Sequence, residues 1–485
     1  PLDCPLPTNT PAIRMVSTSN TQGPGPYGTA GDVITITSRG VVEVPNPQYD
    51  GSGATAKTVA RDYGFGNVAG TLTVNGMTVT PDSWADDSIT FTLDGTIGSG
   101  QLVVTSAAGV KSVNAATLNI IGPSELVTHV FPSNSLTDTP IQDAIDAATP
   151  GELILVNPGN YYELVVMHKP VRLQGFGAAT TFINAVPVPA SKLEIWRERM
   201  YNSAGIDYDL LPGQVLGGAN AAGQLPIFGS EEGPGIMVVG NNNGEYAASP
   251  SRIDGLSITG GTQGGGILIG GYIDNLEISN NDIANNAGNF GGGIRVGFPT
   301  LTNEANGVIG HVDGENNNLN IHNNQINHNG GLGGAGGGIA LYTGADNYRI
   351  TDNLICGNFS QGNGAGIGHL GLSHNGMIKG NTIAYNQSFN QGLEKHGGGL
   401  FIGGKEGLEG LATPGSGSVL VEANRFMGNQ AGAGSGGAVS LAFTNGQDVA
   451  DNPLDSGLWH SISLYDNLMV NNVAGRDGGG IALHD

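Results

Sequence analysis

Basic residues are scarce in this chain: 18 lysines and arginines stand against 41 aspartates and glutamates, a formal net charge of −23 over 485 residues. Nucleic acids and anionic membrane surfaces call for the opposite balance, so neither is expected as a partner. Long apolar runs are also missing. No stretch approaches the ~20 residues of a membrane-spanning helix. Cysteine is nearly absent, with only Cys4 and Cys356. Such a pair is neither a disulfide framework nor a zinc pattern. The two either join, if the N-terminal segment folds back along the body, or stay as separate thiols. The first residue is proline rather than methionine. The expectation is a processed N-terminus with its signal peptide removed, and an extracellular or cell-surface location.

Glycine is the residue in excess, 83 of 485. Collagen would need it at every third position, which is not the case. A disordered chain would lack apolar periodicity, which is present. Many tight turns and closely stacked backbone remain as the explanation.

Three regions follow one another. Residues 1–21 are rich in Pro, Thr and Ser and read as a tail or linker. Residues 22–122 alternate in period two between turn residues, as in Val33-Ile34-Thr35-Ile36-Thr37, Ile89-Thr90-Phe91-Thr92-Leu93 and Leu102-Val103-Val104-Thr105. That pattern predicts an antiparallel sandwich, with Thr117-Leu118-Asn119-Ile120 as its last strand and 41–60 as a long loop. Gly28-Thr29-Ala30-Gly31-Asp32-Val33, Val74-Asn75-Gly76 and Ser83-Trp84-Ala85-Asp86-Asp87-Ser88-Ile89 resemble the immunoglobulin-like TIG (IPT) domain of bacterial surface proteins. The resemblance implies a spacer or interaction module without chemistry of its own. Asp86 and Asp87 read as turn residues rather than metal ligands.

The third region, 130–485, opens with a helix expected over 139–149. Thr139 suits its N-cap, Pro140 its first position and Gln142 the capping-box partner. Strand-like runs follow, and such a helix before such strands resembles the N-terminal cap of a pectin-lyase-like β-helix. A pattern then recurs six times: apolar, two residues, Asn, one residue, apolar, two residues, Asn. Its first asparagines are Asn281, Asn324, Asn353, Asn381, Asn424 and Asn467; its second are Asn286, Asn329, Asn358, Asn386, Asn429 and Asn472. Each copy precedes a Gly-rich strand start such as Gly336-Gly337-Gly338-Ile339. Steps of 43, 29, 28, 43 and 43 residues separate the copies. A unit of 28 or 29 residues is one turn of a three-sided solenoid. The fold class is therefore all-β: a right-handed three-sided parallel β-helix preceded by an immunoglobulin-like β-sandwich. Asparagine is expected in the turns because it tolerates left-handed backbone, and stacked on itself it can donate and accept along a ladder. The repeats are similar to those of bacterial polymorphic outer-membrane and autotransporter passengers. Phe426-Met427-Gly428-Asn429 with Gly436-Gly437-Ala438-Val439 carries that similarity best.

Function is less legible. Insertions near 297–317, 403–417 and 443–460 leave the solenoid at one corner and are the expected binding face. They carry His311, Asp313, Glu315, Glu406, Glu409, Asp448, Asp451 and Asp455. No cofactor is evident, and Ca²⁺ is the cation these loops admit; solvated acidic loops are the bland alternative. A fourth insertion, 186–234, holds a helix whose Leu193, Trp196 and Met200 share one face, either packed on the solenoid or open to a partner. Lyase-like elimination on a uronate would need a cation and a nearby base, and polygalacturonase-like hydrolysis would need paired carboxylates. The few basic residues and scattered histidines make neither set. A non-catalytic scaffold or adhesin-like surface protein is the leading reading. The alternatives are a polysaccharide lyase, hydrolase or epimerase of the pectin-lyase-like class, or a carbohydrate- or metal-binding module of a larger protein. The strand ending at His484 has no capping helix after it, so a further length of chain or another chain is expected to stack there.

Overall fold

The computed structural model describes residues 4–122, 125–202, 206–212, 214–216, 227–228, 233–299, 301–303, 308–310, 313–391, 393–404 and 415–484. Each copy of the repeat forms one coil of a parallel β-helix. A first ladder of ten strands runs from Val127–Val130 to Ile462–Tyr465. A second, of nine, runs from Gly159–Tyr161 to Leu468–Val470, and a third, also of nine, from Val165–Met167 to Ile481–His484. A short six-stranded ladder of two-residue strands, Ala287–Gly288 to Val473–Ala474, lies between the second and third. The three expected sides thus gain a narrow fourth, where the backbone turns from the asparagine motif into the glycine run.

Register follows from the repeat. In the first ladder Ile278, Ile321, Ile350, Ile378, Val421 and Leu464 pair in one inward column. Ile283, Ile326, Ile355, Ile383, Phe426 and Met469 form the equivalent column of the second. β-Branched residues suit a stacked, pleated surface, and these columns belong to one continuous core. The glycine run meets two separate demands. Gly336 has φ +74°, a left-handed corner, and a Cβ on Gly338 would stand 2.6 Å from the carbonyl oxygen of Gly366 in the next coil. Only glycine lets the coils approach so closely there.

The motif asparagines are not the corner residues. Left-handed backbone falls one position earlier, at Asn280, Asn323, Asp352, Ala423 and Asp466 before the first set. The motif side chains turn inward and stack instead. Asn324 Nδ2 donates to Asn353 Oδ1 at 3.0 Å and to the Ile278 carbonyl at 2.8 Å. Its Oδ1 accepts from Asn281 Nδ2 and from the Asn281 backbone N–H, both at 3.0 Å. The same pattern repeats from Asn281 to Asn467 and from Asn286 to Asn472.

Helix α1 (Pro140–Ala147) covers the first coils, with Ile141, Gln142 and Ile145 buried. Its cap differs from the expectation. The Thr139 side chain makes no capping bond. The Glu163 carboxylate accepts the Ile141 and Gln142 N–H groups, each at 3.0 Å. The Gln142 amide is thereby freed to pair with both backbone groups of Val166. Burial pushes the Glu163 carboxyl up to about 7 despite those two bonds. Helix α2 (Ser191–Asn202) lays Trp196 and Met200 on Val166, Met237 and Leu268, on the outer face of the third ladder.

The N-terminal body is a two-sheet sandwich. One sheet orders Ile13–Thr18, Val33–Ser38, Ser88–Thr92 and Ser83–Trp84; the other orders Tyr27–Gly28, Thr117–Ile120, Gly100–Thr105, Thr71–Val74 and Met77–Val79. Two expectations are corrected. The supposed tail contributes Ile13–Thr18, paired antiparallel with Val33–Ser38, and buries Ile13 and Val16. A register shift between Ile13 and Met15 spaces those buried residues by three, which hides the period-two signal. The supposed loop 41–60 is an antiparallel hairpin of Val41–Pro45 with Thr58–Asp62.

Candidate functional site

The corner insertions do leave from one side, after third-ladder strands. Two of them meet: Gly415 bridges Asn445, and Ser416 N–H donates to the Thr444 carbonyl at 2.9 Å. The first stands apart. It precedes Asn320–His322, whereas the third precedes Ile462–Tyr465, four steps further along the first ladder. At about 4.8 Å per step that is roughly 19 Å. Asp313 and Glu315 are therefore not brought together with Asp451 and Asp455. Asp313 Oδ1 accepts the Glu315 N–H at 2.8 Å, and Asp455 Oδ1 the Gly457 N–H at 3.0 Å. Burial, then the charges of Asp313, Asp274 and Asp346, raise the Glu315 carboxyl. His311, Glu406, Glu409 and the Asp448 side chain lie outside the described residues. Among the described residues no group of three or more His, Cys, Asp or Glu side chains is placed to hold a metal ion.

His369 is fully buried, with Nδ1 2.9 Å from the Tyr348 hydroxyl and Nε2 2.9 Å from the Gly371 and Ser416 carbonyls. Burial holds it down at about 4, so the ring is neutral at ordinary pH. Nε2 then carries the proton, and Nδ1 accepts from the tyrosine. Lys379 pairs with Glu422 of the next coil at 3.0 Å.

The densest buried polar set lies where the sandwich meets the solenoid. Strand Thr117–Ile120 lies on the outer face of the first ladder. Asp254, fully buried, accepts the Thr117 N–H at 2.9 Å, the Thr117 hydroxyl at 2.7 Å, the Ser279 hydroxyl at 2.6 Å and Asn280 Nδ2 at 2.7 Å. Asn280 and Gln101 exchange amide bonds at 2.6 and 2.8 Å. Arg252 donates to Asn119 Oδ1 at 2.6 Å and Gln174 Oε1 at 2.8 Å, and lies 3.6 Å from Glu277. His322 Nε2 is 2.8 Å from the other Glu277 oxygen. Burial opposes both charges, but the contact wins: Glu277 is lowered and His322 raised. Beside the Val41–Pro45 and Thr58–Asp62 hairpin, Cys4 and Cys356 form a disulfide that ties the N-terminal segment to the second ladder. Leu6, Ala12, Val44 and Tyr63 pack against Leu354 beside it.

A cavity of about 270 Å³ remains between these bodies. Phe182 and Asp282, two coils apart on the outer face of the second ladder with Ser257 between them, form its floor; Arg14, Arg39, Val42 and Asn114 of the sandwich line the other side. The Asp282 Oδ1 atom is sealed from solvent without a hydrogen-bond partner. Burial pushes this carboxyl up to about 6, with Arg39 pulling the other way. Sequence reasoning missed this set. Arg14 sits in the supposed tail. Asp282 occupies a position where other copies carry Gln325, Leu354, Thr382 and Arg425, so the repeat does not mark it.

No family model matches the chain, and no curated protein matches it. Among solved structures, pectate lyase Pel9A is 14% identical over 72% of this chain and 78% of its own, with a TM-score of 0.37. An alginate lyase from Paenibacillus sp. str. FPU-7 is 11% identical over 72% of this chain and 99% of its own, TM-score 0.32. A gamma-CGTase from alkalophilic Bacillus clarkii is 26% identical over 26% of this chain, TM-score 0.16, and the match spans only 14% of that enzyme. The parallel β-helix assignment stands on the strand pairing of the chain itself.

Proposed function

We propose that this chain is a non-catalytic extracellular scaffold: a stiff solenoid with a sandwich locked along its side, which offers its corner loops to a partner. The seam is the observation that carries this reading. Working enzymes on an extended polymer need an open face, and here the sandwich covers the outer face of the first ladder from Gln174 to His322. Hydrogen bonds to buried charged groups and a disulfide hold it there, so the two bodies form one rigid unit rather than a hinged pair. The disulfide supports residence in an oxidising compartment. The likeness of the repeats to surface passengers points the same way.

The test is incubation of the native protein with polyuronates and neutral polysaccharides, followed by reducing ends and unsaturated products, alongside small-angle scattering. The expected result is no shortening of any polymer and a scattering curve fitted by one rigid body. Catalytic turnover on any of these polymers, or a curve that demands an ensemble of domain positions, overturns the proposal.

A further inference from the structure

We infer that the cavity between the sandwich and the second ladder is a binding site for a small organic carboxylate with an apolar body. Charge is the first observation. The chain has 18 basic residues against 41 acidic ones, yet two of its arginines, Arg14 and Arg39, line this one cavity. Among the described residues neither guanidinium forms an ion pair. Asp282 supplies one carboxyl against these two cations, so the space keeps a net positive charge in an otherwise acidic protein. Arg39 is held by the Tyr63 ring, 5.6 Å from its centroid, which fixes the arm without neutralising the head.

Shape is the second observation. The remaining wall is largely apolar, with Val42 and Phe182 on opposite sides, and Asn114 adds one amide. Ligand sites usually run from roughly 300 to 1,000 Å³. A space of about 270 Å³ suits one ring and one charged group. Guanidinium forks match carboxylates in a planar, bidentate fashion. An inorganic anion would leave the apolar wall against water, and a neutral ring would leave both guanidinium groups without an anionic partner.

Benzoate is the probe, titrated into the native protein by calorimetry, with benzyl alcohol and inorganic phosphate as its two halves. Benzoate should saturate a single site and bind at least about tenfold tighter than either half, the size of one charge-assisted hydrogen bond. Arg14 is exposed, so Arg14→Gln should keep the melting temperature and weaken benzoate about tenfold. Asp282→Asn should tighten binding at pH 7.5 by removing the competing carboxyl. A crystal soaked with benzoate should place its ring between Phe182 and Val42. Absence of saturable benzoate binding overturns the inference. So does equal affinity for benzyl alcohol, or an Arg14→Gln protein that binds benzoate as the parent does.

Discussion

The molecule buries polar groups in two places, and the two are built on different terms. Inside the coils, neutral asparagines stack in register, each filling its hydrogen bonds with copies of itself and with backbone. Between sandwich and solenoid, Asp254, Arg252, Glu277 and His322 bond to a set of partners that never repeats, and Arg252 Nε is left buried without one. The neutral ladder carries no desolvated charge, so it can extend without limit. The charged seam works once, at one position, because buried charges need opposite charges and hydrogen bonds brought to them. Repetition builds length, and singular contacts fix where a second body attaches.

The difference can be broken from the ladder side first. Asn353→Ala leaves Asn324 Nδ2, the Asn324 N–H and the Ile321 carbonyl without their partner. The expected loss is about 3–5 kcal/mol in a chemical denaturation curve. Cys4→Ser removes the covalent tie at the seam, and should cost about 2–4 kcal/mol and expose the N-terminal segment to proteolysis. Asn472 is only partly buried and has one neighbouring asparagine, so Asn472→Ala should cost only about 1 kcal/mol. A loss at Asn472 as large as at Asn353 would mean that stacking does not set the ladder's strength.

The smallest effect sharpens the seam. His322 is raised by Glu277, so its share of stability is complete below the ordinary histidine range and is lost as pH rises through its folded value. Glu277 is lowered, and its share is present above the ordinary carboxyl range and lost as pH falls through its folded value. The pair should therefore contribute most near pH 5–6. The melting temperature of the parent minus that of His322→Gln should be larger at pH 6 than at pH 8. An unchanged difference would show that the contact carries no charge coupling.

The same contrast explains what could be read from the sequence. The coils, their step lengths and the inward columns from Ile278 to Leu464 are legible because one environment recurs six times. The motif asparagines meet one of the two expectations placed on them. They stack, but the left-handed corner belongs to the residue before them. The seam was not legible, since Asn119, Gln174 and Arg252 stand far apart in the chain and each appears once. The Glu163 cap of α1 is hidden for the same reason: it comes from the later connection between Gly159–Tyr161 and Val165–Met167 and displaces the local Thr139 and Gln142 signal. The repeat steps put the second and third corner insertions on adjacent coils, where they meet, and leave the first several coils away, so the acidic residues of the three loops do not form one site.

Hydrogen–deuterium exchange on the intact chain tests the central claim most directly. If sandwich and solenoid are one rigid unit, the Ala115 and Thr117 amides, bonded across the seam to Asn280 and Asp254, should be protected as strongly as the coil amides of Asn324 and Asn353. Both sets should lose protection together. Seam amides exchanging orders of magnitude faster than the coil amides would show a sandwich that undocks, and would contradict the scaffold account.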